Sequence, residues 1–327
     1  MSDALTSKPP LRVLALAGGV GGAKLAAGLS HLLNDRLTVL VNTGDDFEHV
    51  GLHVSPDVDT VMYTLGGIAN PQTGWGIAGE TWEFFTQLQT LGGPAWFMLG
   101  DRDLATHVLR TERLRRGETL TTITADLCKA LGIRSSVLPM TDDRVRTRVH
   151  SGDRVLDFQH YFVREKCAVP VSRLTFDGVG QARFNAALHD LEQGDGPLAV
   201  IICPSNPYLS IDPILLLPGL RDWLMRVPAV RLAVSPIVGG EAIKGPAAKI
   251  MRELKVDPSA EGVARHYSGL VDGFVFDTVD RHLAGSIAAL DMEVSTTQTI
   301  MRDADGRVAL ARDCIAFAER LLARVEV

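Results

Sequence analysis

The chain has 327 residues, a hydrophobic fraction of 46%, a charged fraction of 22% and a formal net charge of −6. That length allows one or two domains around a large core, and the composition is that of an ordinary globular protein. The acidic balance excludes a broad nucleic-acid-binding surface, and no apolar run reaches the roughly 18 residues a membrane helix needs.

The opening MSDALTSKPP has neither a basic region nor an apolar region, so it does not read as a signal peptide. Residues 1–10 are expected to be a loose tail. The four cysteines, Cys128, Cys167, Cys203 and Cys314, are widely spaced with no CxxC pair. A reducing cytoplasm is the expected setting.

Residues 11–17 (LRVLALA) read as a short buried strand. They run into GGVGGAK at 18–24, and then into Leu25, Leu29, Leu32 and Leu33, whose spacing predicts a helix. Strand, glycine loop and helix together make a phosphate cradle, because glycines let backbone N–H groups approach and the helix start adds partial positive charge. Gly18, Gly19, Gly21, Gly22 and Lys24 are the candidate contacts; a plain tight turn is the competing reading. The loop is not a Walker A motif, since Leu25 follows Lys24, and not a strict GxGxxG, since Lys24 stands at the third glycine. A second strand at 37–41 ends in Asn42 instead of a ribose-binding acid, which speaks against NAD.

Residues 42–60 place Asp45, Asp46, Glu48, Asp57 and Asp59 just beyond that strand. Ligands of open α/β sheets bind at strand carboxyl ends. Carboxylates gathered there suit Mg²⁺, which takes oxygen ligands and bridges to phosphates. Asp45, Asp46, Asp57 and Asp59 are the candidate metal ligands; a solvated acidic loop with helix caps is the alternative.

From 61 to 132 the pattern is helical, with segments expected at 81–91, 101–116 and 120–131. This reads as an insertion into a core made of 11–60 and 133–327. Asp101 is expected to cap the second of these helices, and His107 lies one turn from Asp103 as its structural partner. A strand at 136–138 leads into PMTDDRVRTRV, and alternating runs at 145–149 and 155–158 predict a β-ribbon. A short helix is expected at 182–192. Strands then recur at 198–203, 231–234, 273–276 and 292–295, before a final helix at 313–324.

The strand ends carry Gly18–Gly22, Asn42–Asp46, Ser205-Asn206-Pro207, Ser235 with Gly239 and Gly240, and Asp277. In a parallel sheet these ends share one edge, which fits a diphosphate with a metal. The expected architecture is a Rossmann-like, three-layer α/β/α fold with a mainly parallel sheet, a helical insertion and a small β-ribbon.

The segments AGGVGGAKLAAGL, VNTGDDFEHVGLHVSPDVDTVMYTLGG, GWGIAGETW, LGDRDLATH, LPMTDDRVRT, PSNPYLSIDPILLLPGLR, VSPIVGGEAIKGPAAK and FVFDTVD run in order from Ala17 to Asp280. Together they resemble the 2-phospho-L-lactate transferase family (CofD in archaea, FbiA in mycobacteria) of coenzyme F-420 biosynthesis, closer to the FbiA branch. The resemblance implies a transfer of a phospho-acid group from a guanosine-diphosphate-linked donor to the ribityl hydroxyl of the deazaflavin Fo, with release of GMP. The acid would be lactyl, enolpyruvyl or glyceryl. It implies Mg²⁺, a homodimer and a partner guanylyltransferase that makes the donor. By motif, the GGVGGAK glycines with Ser205, Asn206 and Pro207 would hold the guanylyl and phosphate parts. Asp46, Asp57 and Asp59 would sit at the metal and the acceptor hydroxyl, with Asp59 or Asp46 orienting or accepting its proton. Lys24, with Lys244 or Lys249, would stabilise the leaving phosphate. Where archaeal relatives carry a basic residue before LGDRD, this chain has Met98, so that acceptor contact differs. The rival class is a non-catalytic regulator that binds UDP-sugars through a similar glycine-rich start.

Overall fold

The computed structural model describes residues 9–325; residues 1–8 of the expected tail lie outside them. Seven strands form the central sheet: β1 (Arg12–Ala17), β2 (Leu37–Val41), β3 (Ser136–Pro139), β4 (Leu198–Ile202), β5 (Ala229–Val234), β6 (Gly273–Asp277) and β7 (Glu293–Thr297). Their spatial order is β7-β6-β5-β4-β1-β2-β3, and every neighbouring pair is parallel. The chain therefore runs outward from β1 through β2 to β3, then returns to β1's other side with β4. That reversal leaves a crevice at the carboxyl ends of β1 and β4, where a sheet of this kind receives its ligand.

Buried parallel strands are apolar on both faces, and β1 shows why. Val13, Ala15 and Ala17 join one apolar cluster, while Leu14 and Leu16 join the other. The helices used below are α1 (Gly19–Leu33), α2 (Pro56–Leu65), α3 (Asp101–Arg115), α4 (Leu120–Ala130) and α5 (Ala304–Val325). On one face lie Leu25 and Leu29 of α1, Val61 and Met62 of α2, and Leu310 and Phe317 of α5. On the other lie Ile214, Trp223, Ile250 and Val263 from shorter helical segments. Each fully buried aliphatic side chain contributes about 1.5–3 kcal/mol, so the three layers hold without disulfides; all four cysteines are free. Among the described residues no helix is long and apolar enough to cross a membrane.

Between β2 and β3 the chain makes a hairpin (Phe47–His49 with Leu52–Val54) and then the helical segments. α2 begins at Pro56, so Asp57 and Asp59 occupy the first turn of a helix. Asp101 does not cap α3 as expected. Its carboxylate instead accepts from the Thr81 hydroxyl (2.6 Å) and from Glu83 N and Phe84 N (both 3.0 Å), capping the helix Glu83–Thr90. α3 is capped in return by Glu80, which accepts from Arg102 N and Asp103 N at 2.8 Å each. This exchange satisfies donors that both helix starts would otherwise leave open.

The expected ribbon carries a third strand: Arg146–Ser151 pairs antiparallel with both Arg154–Asp157 and Arg173–Asp177. The helix expected at 182–192 divides into two single turns, Ala186–His189 and Asp190–Gln193. α5 starts nine residues before the expected position, and Leu310 and Ala311 of its added turns are buried.

Candidate active site

The glycine loop closes the end of β1 against the end of β4. Gly19 has φ +64, which a side chain would resist. A Cβ on Gly21 would lie 2.3 Å from the Pro204 carbonyl oxygen, so the two loops touch backbone to backbone. Gly18 N donates to Ser205 Oγ at 3.1 Å, which ties them further. Asn206 accepts from Tyr208 N and Leu209 N through Oδ1. Its Nδ2 is buried and has no partner among the described residues. A buried donor left open costs stability unless something fills it, so Asn206 Nδ2 is a candidate contact for a ligand. Pro207 starts the segment that follows, and acts through backbone shape.

The expected lysines divide. Lys24 Nζ donates to the Met301 carbonyl at 2.9 Å; burial, then the charges of Lys244 and Arg307, lower its pKa. Lys244 Nζ reaches the Thr73 carbonyl at 3.3 Å and lies beside the glycine loop, since a Cβ on Gly74 would be 3.0 Å from both Lys244 Nζ and Val20. Lys249 belongs elsewhere: it bonds the Val169 carbonyl and Glu253, so the phosphate role expected of it is withdrawn. Gly239 N is taken by Asp280 at 2.9 Å, and Gly240 continues that turn with φ +79.

Asn42, expected as one of the strand-end residues, organises the acidic loop. It is fully buried; its Nδ2 donates to Asp57 Oδ2 at 3.0 Å and its Oδ1 accepts from Gly44 N at 2.8 Å. Asp46 Oδ2 accepts from Ser55 Oγ at 2.8 Å and meets His53 Nε2 at 3.1 Å. Asp46 Oδ1 and Asp45 Oδ1 are both buried without partners among the described residues. Asp59 differs: Arg110 grips its carboxylate with both terminal nitrogens, one of them at 3.0 Å. His107, Asp103 and Tyr63 extend that network, with Tyr63 OH donating to Asp103 Oδ1 at 2.6 Å and His107 Nδ1 lying 3.7 Å from Asp59.

The four expected metal ligands are therefore not one set. The metal-sized trio among the described residues is Asp59, Asp103 and His107, and there a guanidinium already occupies the carboxylate. Asp45 and Asp46 do fit a divalent cation. Each keeps a buried, open oxygen, and Mg²⁺ is commonly held by one or two carboxylates with substrate phosphates and waters completing the shell.

The same two carboxylates close one end of a cavity of about 220 Å³. Phe47, Trp96, Phe158 and His160 line it, with Arg144, Arg146 and Thr147. The His160 ring stands edge-on to Trp96 at 4.7 Å, and Phe47 meets Trp96 at 6.0 Å. His49 packs on Trp96 at 5.2 Å, and burial holds its pKa down, so it backs this wall with a neutral ring at neutral pH.

Burial raises the Asp57 carboxyl to about 6, against the lowering effects of Asn42 and the Gly19 N–H. Burial, followed by the Asp57 charge, raises Asp45 well above the usual carboxylate range. A raised acid penalises the folded state. The penalty is absent below the unfolded pKa near 4 and complete above the folded value. Without divalent cation, stability is therefore expected to fall as pH rises from about 4 to 6, by on the order of 2–3 kcal/mol through Asp57. His49 opposes this trend and depressed acids such as Asp103 and Asp277 titrate lower. The check is urea unfolding in chelator of the wild type against Asp57→Asn. The difference between them should grow across that window; a pH-independent difference refutes the assignment.

A family model described as 2-phospho-L-lactate transferase CofD matches residues 13–313. A phosphoenolpyruvate transferase of Kitasatospora aureofaciens is 39% identical over 320 residues, covering 95% of this chain and 99% of the relative. A 2-phospho-L-lactate transferase of Methanocaldococcus jannaschii is 38% identical over 315 residues, covering 94% and 99%. A solved structure of a UPF0052 family member from Bacillus halodurans superposes with a TM-score of 0.61 at 14% identity, over 92% of this chain and 99% of that one; at that identity it speaks for the fold alone. The family match runs from β1 into α5, and the relatives align over nearly their whole length, so this chain is a transferase that belongs to the 2-phospho-L-lactate transferase CofD family.

Proposed function

We propose that the protein transfers a phospho-acid group, phospholactyl, phosphoenolpyruvyl or phosphoglyceryl, from a guanosine-diphosphate-linked donor to the ribityl hydroxyl of Fo. GMP leaves, and F-420-0 or its dehydro form results. The observation that carries this reading is a cavity lined both by Asp45 and Asp46, each with an oxygen left without a partner, and by Phe47, Trp96 and His160. A planar ring system matches Phe47, Trp96 and His160, because flat aromatic ligands stack on such rings. The α1 start, Asn206 Nδ2, Lys24 and Lys244 suit the donor's phosphates.

Phosphoryl transfer depends chiefly on positioning and charge stabilisation. Asp45 would hold Mg²⁺, which when bound supplies charge neutralisation on the diphosphate. Asp46 keeps one oxygen without a partner, and that oxygen would take the hydroxyl proton. Asp59 would not, since both its oxygens are engaged by Arg110. Lys24, held by the Met301 carbonyl, would lend its charge to the departing GMP. The setting is the cytoplasm, with the guanylyltransferase that makes the donor as functional partner and a homodimer as the working form.

The test is a one-pot reaction of the protein with Fo, GTP, Mg²⁺ and a guanylyltransferase, offered phospholactate, phosphoenolpyruvate or phosphoglycerate in parallel. An Fo adduct by mass, from one acid, is expected and names the donor. Donors that form without any adduct overturn the reading, and UDP-sugar binding in their place would support the regulator. In the same assay Trp96→Ala is expected to raise KM for Fo about tenfold, the scale of one lost aromatic stack, with kcat within about threefold. An unchanged KM would remove Trp96 from the acceptor site.

A further inference from the structure

α3 turns its surface inside out. Val108 and Leu109 are 49% and 45% exposed, while Arg110 between them and Thr111 is fully buried. A helix that served packing alone would do the reverse, since burying a guanidinium is costly without close partners. The buried residues His107, Arg110 and Thr111 share one helical face, by their spacing of three and four. All three act on the acidic loop. Arg110 grips both oxygens of Asp59. Thr111 Oγ accepts from His53 N at 2.7 Å and donates to the His107 carbonyl at 2.6 Å. That pins the strand whose His53 ring meets Asp46 at 3.1 Å.

We propose that Arg110 is a positioning residue for the transfer reaction. From a helix outside the central sheet, its two-pronged grip sets the orientation of Asp59, and with it the first turn of α2 and the placement of Asp57. Thr111, one position on, fixes the Asp46 side of the same loop. The inference rests on the transferase reading above. It adds that α3 must be docked for the acidic loop to be competent, and that Asp59 works through geometry and charge and takes no proton. The bland alternative is a buried ion pair that merely fastens α3.

Four proteins separate these: wild type, Arg110→Met, Arg110→Lys and the double variant Asp59→Asn/Arg110→Met. Each is checked for a cooperative melt and then assayed for kcat and KM with both substrates. The double variant removes the unpaired charge that Arg110→Met leaves behind, so it stays folded if the single variant does not. The expected result is a kcat lowered about 10²-fold in the double variant, the scale of a small misplacement of reacting groups, with KM for the donor changed less than about threefold. Arg110→Lys should recover about a tenth of wild-type kcat, because lysine restores charge without the planar fork. If the double variant is folded and turns over within about threefold of wild type, the pair is only a fastener and the proposal falls. If the wild type itself makes no adduct, the transferase reading fails and this inference with it.

Discussion

Asp45→Asn is expected to make the cation-free protein more stable and the enzyme nearly inert. Asp45 is buried beside Asp57 and Asp46, with Thr147 and Asn42 as its nearest polar neighbours, and its Oδ1 has no hydrogen-bond partner among the described residues. An asparagine of the same shape can turn its NH₂ toward that open position and removes a charge repelled by its neighbours. The gain should be about 1–2 kcal/mol at neutral pH, typical of relieving a strained site. Turnover should fall about 10²-fold or more, because the carboxylate oxygen on which the proposed Mg²⁺ site depends is gone. Chemical unfolding in chelator and the adduct assay in Mg²⁺ read the two effects separately. The opposite signs are the signature of a site kept for chemistry at the expense of stability. A variant that is destabilised and fully active would show Asp45 to be a structural residue.

Gly21→Ala is expected to damage both fold and donor binding. By local propensity alanine should help, since it favours a helix over glycine by about 1 kcal/mol. The tertiary contact decides otherwise. The new Cβ would sit 2.3 Å from the Pro204 carbonyl oxygen, a backbone atom that cannot rotate away. Overpacking of this kind costs about 1–3 kcal/mol. Relief requires the β1 and β4 loops to part, which also separates the glycine loop from Asn206. Donor KM should rise about tenfold or more, as for the loss of one charge-assisted hydrogen bond. Gly285 supplies the control: it lies in a helix, and a Cβ there would have nothing within 4 Å of it, so Gly285→Ala should be neutral or mildly stabilising. Equal melting points for the two variants would refute the close-approach argument.

The sheet was legible because its strands are buried on both sides and read as short apolar runs ended by Gly, Asn, Ser or Asp. Residues 11–17, 37–41 and 198–203 differ from β1, β2 and β4 by one residue at most. The hairpin at Phe47–Val54 was not legible. Its strands have three residues each, with a Glu and two His among them, too short for an alternation to register. The acidic loop was legible as a site, but not the division of labour within it. Asp59 and Arg110 are 51 residues apart, and a helix reading DRDLATHVLRTERLR looks like a solvated, charge-laced surface. No local pattern tells that Arg110 is its most buried side chain. Asn206 was found through position alone; that one of its amide atoms stands open needed coordinates.

The order of strands in space also sets an order in time. β1 gains its first neighbour, β2, within the first 41 residues, but β4 does not begin until residue 198. At a synthesis rate of about 5–20 residues per second, that interval lasts on the order of ten to thirty seconds on the ribosome. Throughout it, the future middle of the sheet is a bare edge of apolar backbone, which is the form most prone to pair with the wrong partner. The crevice between β1 and β4 is, in the nascent chain, its point of greatest exposure to misassembly.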